Sequence, residues 1–290
     1  MKINRMWGPA TVLVTTLVAF EAGAIDTSPG DYTLLPPETA IALQYFQYST
    51  ADEIHFDGVG TVPDTQIDAV LGVSRVLYYG DAGGFRYGLQ AYLPYGSFSE
   101  ARIGGAAVPE ANGLGDLTVG ATAWLIEPSN PVTGTTLAAT AFLTLPTGNY
   151  DPAGVSMGSG TYTLTPQIGF IQGLGGGFYF DGTLDVALTR DHDEGGITMS
   201  RDPSYQAQAY LRYQPSQRSS FSFGYSGKFG GEAYADDNYT GSKTRVDSLR
   251  LFANHFLTPT IQIEAMLSRD FNVEGGPSNT VTQLRLLKVF

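Results

Sequence analysis

Apolar and polar residues alternate with a period of two along most of this chain, the signature of β-strands whose two faces meet different surroundings. From Gly177 to Arg190, Phe178, Phe180, Leu184, Val186 and Leu188 share one face, and Tyr179, Asp181, Thr183, Asp185 and Thr189 share the other. Residues 203–214 repeat this, with Tyr205, Ala207, Ala209, Leu211 and Tyr213 set against Gln206, Gln208, Tyr210 and Arg212. The pattern predicts twelve strands: 39–49, 66–80, 84–95, 113–126, 135–145, 161–172, 177–190, 203–214, 218–229, 244–256, 260–271 and 280–290. Each is close to the ~9–11 residues a tilted strand needs to cross a bilayer. The links alternate in length as well. Short ones (81–83, 127–134, 173–176, 215–217, 257–259) follow the even strands, and long ones (50–65, 96–112, 146–160, 191–202, 230–243, 272–279) follow the odd strands. An even strand count with short turns at one end and long loops at the other predicts a transmembrane antiparallel up-and-down β-barrel, all-β, with both chain ends in the periplasm.

A sheet immersed in lipid cannot leave an edge of unpaired N–H and C=O groups, so the last strand is expected to pair with the first. That last strand alternates Leu284, Leu286 and Phe290 with Gln283, Arg285 and Leu287. A terminal Phe on an amphipathic final strand resembles the signal read by the barrel-assembly machinery, so Phe290 is assigned as the assembly signal. Lys288 departs from the apolar residue usual at its outward position. Outward aromatics collect near strand ends, Phe85, Tyr87, Phe178, Tyr213, Phe221 and Phe290 at the inner side and Tyr205 and Phe229 at the outer side, as an interfacial girdle would. Two features fit less well. Pro166 falls inside a strand, where it removes a ladder hydrogen bond unless it marks a bulge. Residues 66–80 are apolar on both faces, which leaves Arg75 unassigned.

The N-terminus sets the compartment. Lys2 and Arg5 precede the apolar run Thr11 to Phe20, and Ala22-Gly23-Ala24 supplies a small-residue cleavage site. This reads as a signal peptide over residues 1–24, too short to span as a helix, followed by an N-terminal periplasmic segment, 25–38, and an outer-membrane barrel, 39–290. No later stretch reaches eighteen apolar residues, which excludes helical spans. Only 15% of residues are charged, against 36 glycines, 17 tyrosines and 16 phenylalanines. A soluble protein carries about a quarter charged residues, so the balance suits a lipid-facing band. There is no cysteine, and the net charge of −12 argues against nucleic acid.

Several short motifs carry a resemblance. Asp31-Tyr32 after Pro29-Gly30, then Leu35-Pro36-Pro37-Glu38-Thr39, is similar to the mature start of the MetA-pathway of phenol degradation family of outer-membrane transporters. Gly113-Leu114-Gly115-Asp116-Leu117, Leu145-Pro146-Thr147-Gly148-Asn149-Tyr150 and Thr165-Pro166-Gln167-Ile168-Gly169 resemble its internal motifs, in order, so the likeness spans 25–290. Glu38 stands where the family more usually has glycine. The resemblance implies an outer-membrane barrel associated with uptake of aromatic or other hydrophobic compounds, and carries over no binding residue.

Inward parity, taken as the polar face of each strand, selects pore-lining candidates: Arg86, Gln90, Tyr92, Asp116, Trp124, Tyr179, Asp181, Asp185, Gln206, Gln208, Tyr210, Arg212, Lys228, Arg250, Glu264 and Arg285, with Gln44 on the same reasoning. Their mixed signs argue against the single-sign ring of a strongly ion-selective pore. They fit either a polar conduit with aromatic contact points or an interior filled by mutually satisfied side chains. Asp191-His192-Asp193-Glu194 is the densest potential metal or catalytic cluster, but it lies in an external loop beside Gly195-Gly196 with a single His. It reads as a solvated acidic loop facing the divalent cations of lipopolysaccharide, as does Asp236-Asp237. His255 falls on the lipid-facing side and His55 in a loop. Leu174-Gly175-Gly176-Gly177 joins two strands, so it is a turn and not a phosphate cradle. No catalytic residue, metal site or cofactor is assigned. The expected function is passive passage of small, aromatic or hydrophobic solutes across the cell outer membrane. The alternatives are a structural or adhesive surface barrel with acidic external loops, and a barrel lipase or protease. The expected partners are outer-membrane lipid and lipopolysaccharide, the barrel-assembly machinery and a small-molecule solute.

Overall fold

Alternating polarity becomes alternating exposure throughout the sheet. The computed structural model describes residues 25–290 and, ahead of them, only the two-residue strand Val18–Ala19, so the expected signal peptide otherwise lies outside the described residues. The barrel strands are β1 (Thr39–Phe56), β2 (Gln66–Ala82), β3 (Phe85–Ile103), β4 (Leu117–Ile126), β5 (Thr135–Leu145), β6 (Thr163–Gly175), β7 (Phe178–Thr189), β8 (Ser204–Tyr213), β9 (Ser219–Gly230), β10 (Thr244–Thr258), β11 (Ile261–Glu274) and β12 (Gly276–Val289). Each pairs antiparallel with its neighbour in chain order, and β12 pairs with β1 from Ile41↔Val289 to His55↔Gly276. That seam leaves the main sheet without an edge, as the bilayer requires.

The apolar parity faces outward. Phe46, Leu184 and Leu284 are 56%, 62% and 61% exposed, whereas Gln167, Gln206 and Glu264 on the opposite parity are buried. Two tight turns rest on paired glycines: Gly83-Gly84 between β2 and β3, and Gly176-Gly177 between β6 and β7, all with positive φ. A two-residue hairpin with φ > 0 at both positions matches the twist of its strands. Outward rings form stacked pairs near the strand ends, Phe178 with Tyr213 (4.7 Å) and Tyr205 with Phe229 (5.5 Å).

Three departures from the sequence pattern have physical causes. Strands β1, β2 and β3 run to 18, 17 and 19 residues, well past the bilayer. Their outer ends leave lipid, where hairpin partners Gly60–Val62 and Ala106–Ala107 continue the pairing without strict alternation. Pro166 is accommodated with no bulge: β6 keeps one register against β7 on both sides of it, but the pairs of Thr165 and Pro166 drop out of that ladder. On its other side Pro166 stays in register with Ala141. Gln44, expected inward, points outward. It donates to Tyr95 Oη (2.9 Å) and accepts from Ser74 Oγ (2.8 Å), while the Tyr95 ring lies over Gly72 on the neighbouring strand. A polar cluster that satisfies itself tolerates the lipid face, which sequence parity alone does not foresee.

Outside the bilayer, His192–Glu194, Ile197–Arg201, Ala233–Ala235 and Asn238–Tyr239 form a four-stranded sheet above the β7–β10 side. Lys243 links the outer loops, lying 3.0 Å from Asp57 and 2.9 Å from Glu274, and these bonds raise its pKa above the ordinary lysine range.

Candidate functional site: the lumen and the segment within it

The inward faces divide into two walls. On β1 to β3 they are largely apolar. Ile41, Leu43 and Tyr45, then after Gln47 and Ser49 also Ala51 and Ile54, line β1, and Ile67, Ala69, Leu71 and Tyr79 line β2. The outer part of this wall forms one buried cluster with Phe98 and Ala101 of β3 and with Val155 and Met157 of the β5–β6 loop. The inner part forms a second with Tyr32, Trp124, Ala138 and Ile171. The opposite wall is polar, with Gln167, Asp181, Asp185, Gln206, Gln208, Arg212, Ser226, Arg250, Asn254 and Glu264 all buried. The doubly apolar pattern of 66–80 is thereby explained: one face of β2 meets lipid and the other lines the apolar wall, with Arg75 pointing in among it.

Residues 25–38, expected as a periplasmic segment, run through the lumen. Two successive turns, Asp31 N to Ser28 O (3.1 Å) and Thr33 N to Gly30 O (2.9 Å), compact it. Wall side chains satisfy its backbone and polar groups. Gln167 and Gln208 donate to Ile25 O, Gly30 N donates to Asp181 Oδ1 (3.1 Å), Trp124 Nε1 donates to Tyr32 O (3.1 Å), and Arg86 donates to Leu35 O. The Tyr32 hydroxyl donates to Gln167 Oε1 (2.7 Å) and lies 3.0 Å from Thr140 Oγ1. Ser28 donates to Glu264 Oε1 (2.9 Å).

Charge ties the segment to both walls. Asp31 bridges Arg75 of β2 (2.8 Å) and Arg285 of β12 (3.4 Å), and Asp26 pairs with Arg250 of β10 (3.0 Å). Wall-to-wall pairs also exist. Arg212 meets both oxygens of Asp181 in a bidentate fork (2.8 and 3.1 Å) and stacks on Tyr179, while Arg285 lies 2.9 Å from Glu264. Bidentate guanidinium–carboxylate pairs combine strength with fixed geometry. A cavity of about 690 Å³ opens on the inner side of the segment, lined by Leu34, Leu35, Ile41, Leu77, Ser220 and Leu287 among others. A smaller one of about 140 Å³ lies beside Asp26, against Tyr45, Tyr92, Arg250 and Phe252.

The residues selected by inward parity fall as follows. Gln90 and Tyr92 join Arg75, which donates to Gln90 Oε1 (2.8 Å) and sits 4.5 Å from the Tyr92 ring centroid. Asp185 accepts from Gln167 (2.9 Å), Gln206 donates to Asp26 (2.6 Å), and Tyr210 donates to Gln208 (2.9 Å). Lys228 faces the same interior, in register with Gln206. Asp116 instead holds a loop: it accepts from Gly148 N (2.8 Å) and from Ser159 N and Oγ (2.7 and 2.6 Å). Sequence reasoning missed Arg75, the apolar wall and the segment itself. The alternation gave no signal for the first two, and 25–38 has no period at all. The external cluster resolves into local contacts, with His192 2.9 Å from Glu194, Glu194 accepting from Tyr150, and Asp193 capping Gly196 N (3.0 Å). Among the described residues no group of three or more His, Cys, Asp or Glu is placed to hold a metal ion. Ser219 Oγ lies 2.9 Å from His255 Nδ1 across β9 and β10, a neighbour the sequence does not reveal.

A family model described as "Putative MetA-pathway of phenol degradation" matches residues 51–286. The crystal structure of an outer-membrane channel from Pseudomonas putida F1 is similar with a TM-score of 0.82 at 28% identity, over 91% of this chain and 100% of that one. The transport unit of the autotransporter AIDA-I from Escherichia coli aligns with a TM-score of 0.53 at 11% identity, over 89% of this chain and 92% of that one. A mutant of the TodX monoaromatic hydrocarbon channel aligns with a TM-score of 0.50 at 8% identity, over 91% of this chain and 92% of that one. The last two likenesses are of fold alone. A search of curated proteins returns no match.

Proposed function

The chain belongs to the MetA-pathway of phenol degradation family, and from that premise we propose that this outer-membrane barrel is a passive channel for small hydrophobic or aromatic solutes. One observation carries the reading: the inward faces of β1 and β2 make an apolar track in two stretches, an outer one at Ile54 and Ile67 and an inner one at Ile41 and Leu77 beside the inner cavity, with Gln47 and Ser49 between them on β1 and Arg75 on β2. Apolar surface facing a lumen gains nothing from water, but it lowers the free energy of an apolar solute by about 25 cal/mol per Å² covered. The polar wall opposite keeps the segment paired. The likeness to a channel of Pseudomonas putida F1 supports the same reading. On this reading the protein is not an enzyme. Phe290 serves the barrel-assembly machinery and the acidic outer loops meet lipopolysaccharide.

The test uses intact cells, whose lipopolysaccharide slows apolar compounds. Cells producing the barrel take up naphthalene faster than cells without it, and Leu43→Asp, which puts a charge on the track, abolishes the gain. If production brings no gain in uptake and the purified barrel passes no current, the channel reading fails. The occupation of the lumen by 25–38 favours the second reading, a closed barrel whose outer sheet is the working surface, and that result would select it.

A further inference from the structure

Arg250 differs from the other buried arginines of the polar wall in what it is paired with. Arg212 has Asp181 and Arg285 has Glu264, both on neighbouring strands. Arg250 has no such wall carboxylate at ion-pair distance; its partner is Asp26, on the segment. Its side chain is 8% exposed, whereas the Asp26 side chain is 51% exposed. Nη1 donates to Gln208 (3.2 Å) and Tyr210 (3.3 Å), Nη2 donates to Asp26 (3.0 Å), and the buried Nε has no hydrogen-bond partner. A fixed cation with one free donor thus meets an anion that solvent can reach and that belongs to a separable piece of chain.

Beside this pair lies the cavity of about 140 Å³, with Tyr45, Val73, Tyr92, Phe252 and Met266 on its apolar side and Thr27, Ser28, Gln47 and Gln283 on its polar side. An apolar cavity of about 150 Å³ holds a benzene ring. A ring-sized cleft with aromatic and aliphatic side chains on one side and a guanidinium at its edge is complementary to one chemical class.

We propose that Arg250 and this cleft form a binding site for a small aromatic carboxylate, and that Asp26 occupies the carboxylate position as the stand-in for that solute. The inference rests on the channel reading and names the solute class within it. The exchange is electrostatically even: one carboxylate replaces another on the same guanidinium, and no charge is left buried alone. A neutral solute that displaced Asp26 would strand Arg250, which is costly. The planar carboxylate also suits the Nε and Nη2 edge of the guanidinium, which donates two parallel hydrogen bonds to it.

The segment carries its own reporter. Trp7 and Trp124 are the two tryptophans of the chain, and Trp124 donates to Tyr32 O of the segment. In a Trp7→Phe barrel in detergent, benzoate is titrated against Trp124 fluorescence, beside benzyl alcohol (the ring without the carboxylate) and acetate (the carboxylate without the ring). Benzoate saturates the signal, and each control binds about tenfold weaker or worse. Asp26→Asn removes the competitor and tightens benzoate binding, while Arg250→Gln weakens it by about tenfold or more. Asp26→Asn changes no wall residue and keeps an acceptor for Arg250 and Gln206, so it decides the matter even if Arg250→Gln fails to fold, as judged for both by gel mobility before and after boiling. Equal binding of benzyl alcohol and benzoate, or unchanged benzoate affinity in Asp26→Asn, overturns the site. Naphthalene uptake by cells is read separately. Uptake without a benzoate preference removes this site and keeps the channel. Benzoate binding that needs Arg250, without uptake of either compound, keeps the site and removes the channel.

Discussion

Glu38 enters β1 with a φ of +66, its N–H donating to Tyr79 O at 2.7 Å. An L side chain in the left-handed region costs about 1–2 kcal/mol, part of which glycine returns through its looser unfolded state. The backbone at this place therefore favours glycine, and Glu38 stores strain here. Glu38→Gly should stabilise the barrel by about 0.5–1 kcal/mol, seen as a higher urea midpoint with unchanged slope; a lower midpoint contradicts the strain argument. Arg212 makes the opposite case. Truncating it to Gln leaves Asp181 buried with no cation, a loss of about 3–5 kcal/mol, so the folded fraction should fall and should partly recover in Arg212→Gln/Asp181→Asn. No recovery would mean that packing on Tyr179, and not charge, holds the site. Neither residue's weight was legible from parity, because parity reports a face and not a partner. Gln44 shows the limit most plainly: its polarity points to the lumen, and Ser74 and Tyr95 hold it on the outside.

At the scale of strands the sequence was largely legible. All twelve barrel strands lie on the expected segments, most of them because lipid on one side and polar contacts on the other impose a period of two, and β2 is the doubly apolar exception. The boundaries drift where that constraint ends, above the bilayer on β1, β2 and β3. Pro166 was legible as an anomaly but not in its solution. The ladder with β7 opens for two residues while the register holds. Pro166→Val should close it and raise the temperature at which the barrel loses its slow gel mobility, since each restored hydrogen bond adds about 0.5–1.5 kcal/mol. A lower temperature would show that the gap relieves strain in β6. At the seam, Phe290 N donates to Ala40 O at 2.8 Å and its ring stays 72% exposed. Deleting Phe290 should lower the amount of folded barrel in the outer membrane while leaving refolding in detergent nearly intact; equal losses in both would reduce its role to closure alone.

The whole molecule is a barrel whose interior is completed by its own N-terminal stretch, and this was the part the sequence concealed. Residues 25–38 are rich in proline and turn residues and show no period. Their role rests on long-range pairing to arginines that the alternation could not match, and that for Arg75 it could not even place. Asp31 shares its charge between Arg75 and Arg285, on opposite sides of the seam. Asp31→Asn should therefore leave the lumen more positive and shift the reversal potential under a salt gradient toward anions, because charges in a narrow passage are weakly screened; no shift would mean that ions do not pass near Asp31. The contacts that hold the segment join residues 224 and 254 positions apart. The seam between β1 and β12 closes over a comparable distance, from Ile41 to Val289, and only that closure brings Arg75 and Arg285 to one place where Asp31 can bridge them. The wall is thus expected to assemble first as an open, water-filled cylinder. Its final folding step is then an intramolecular docking, in which the chain binds its own leading peptide at an effective concentration that no free peptide reaches.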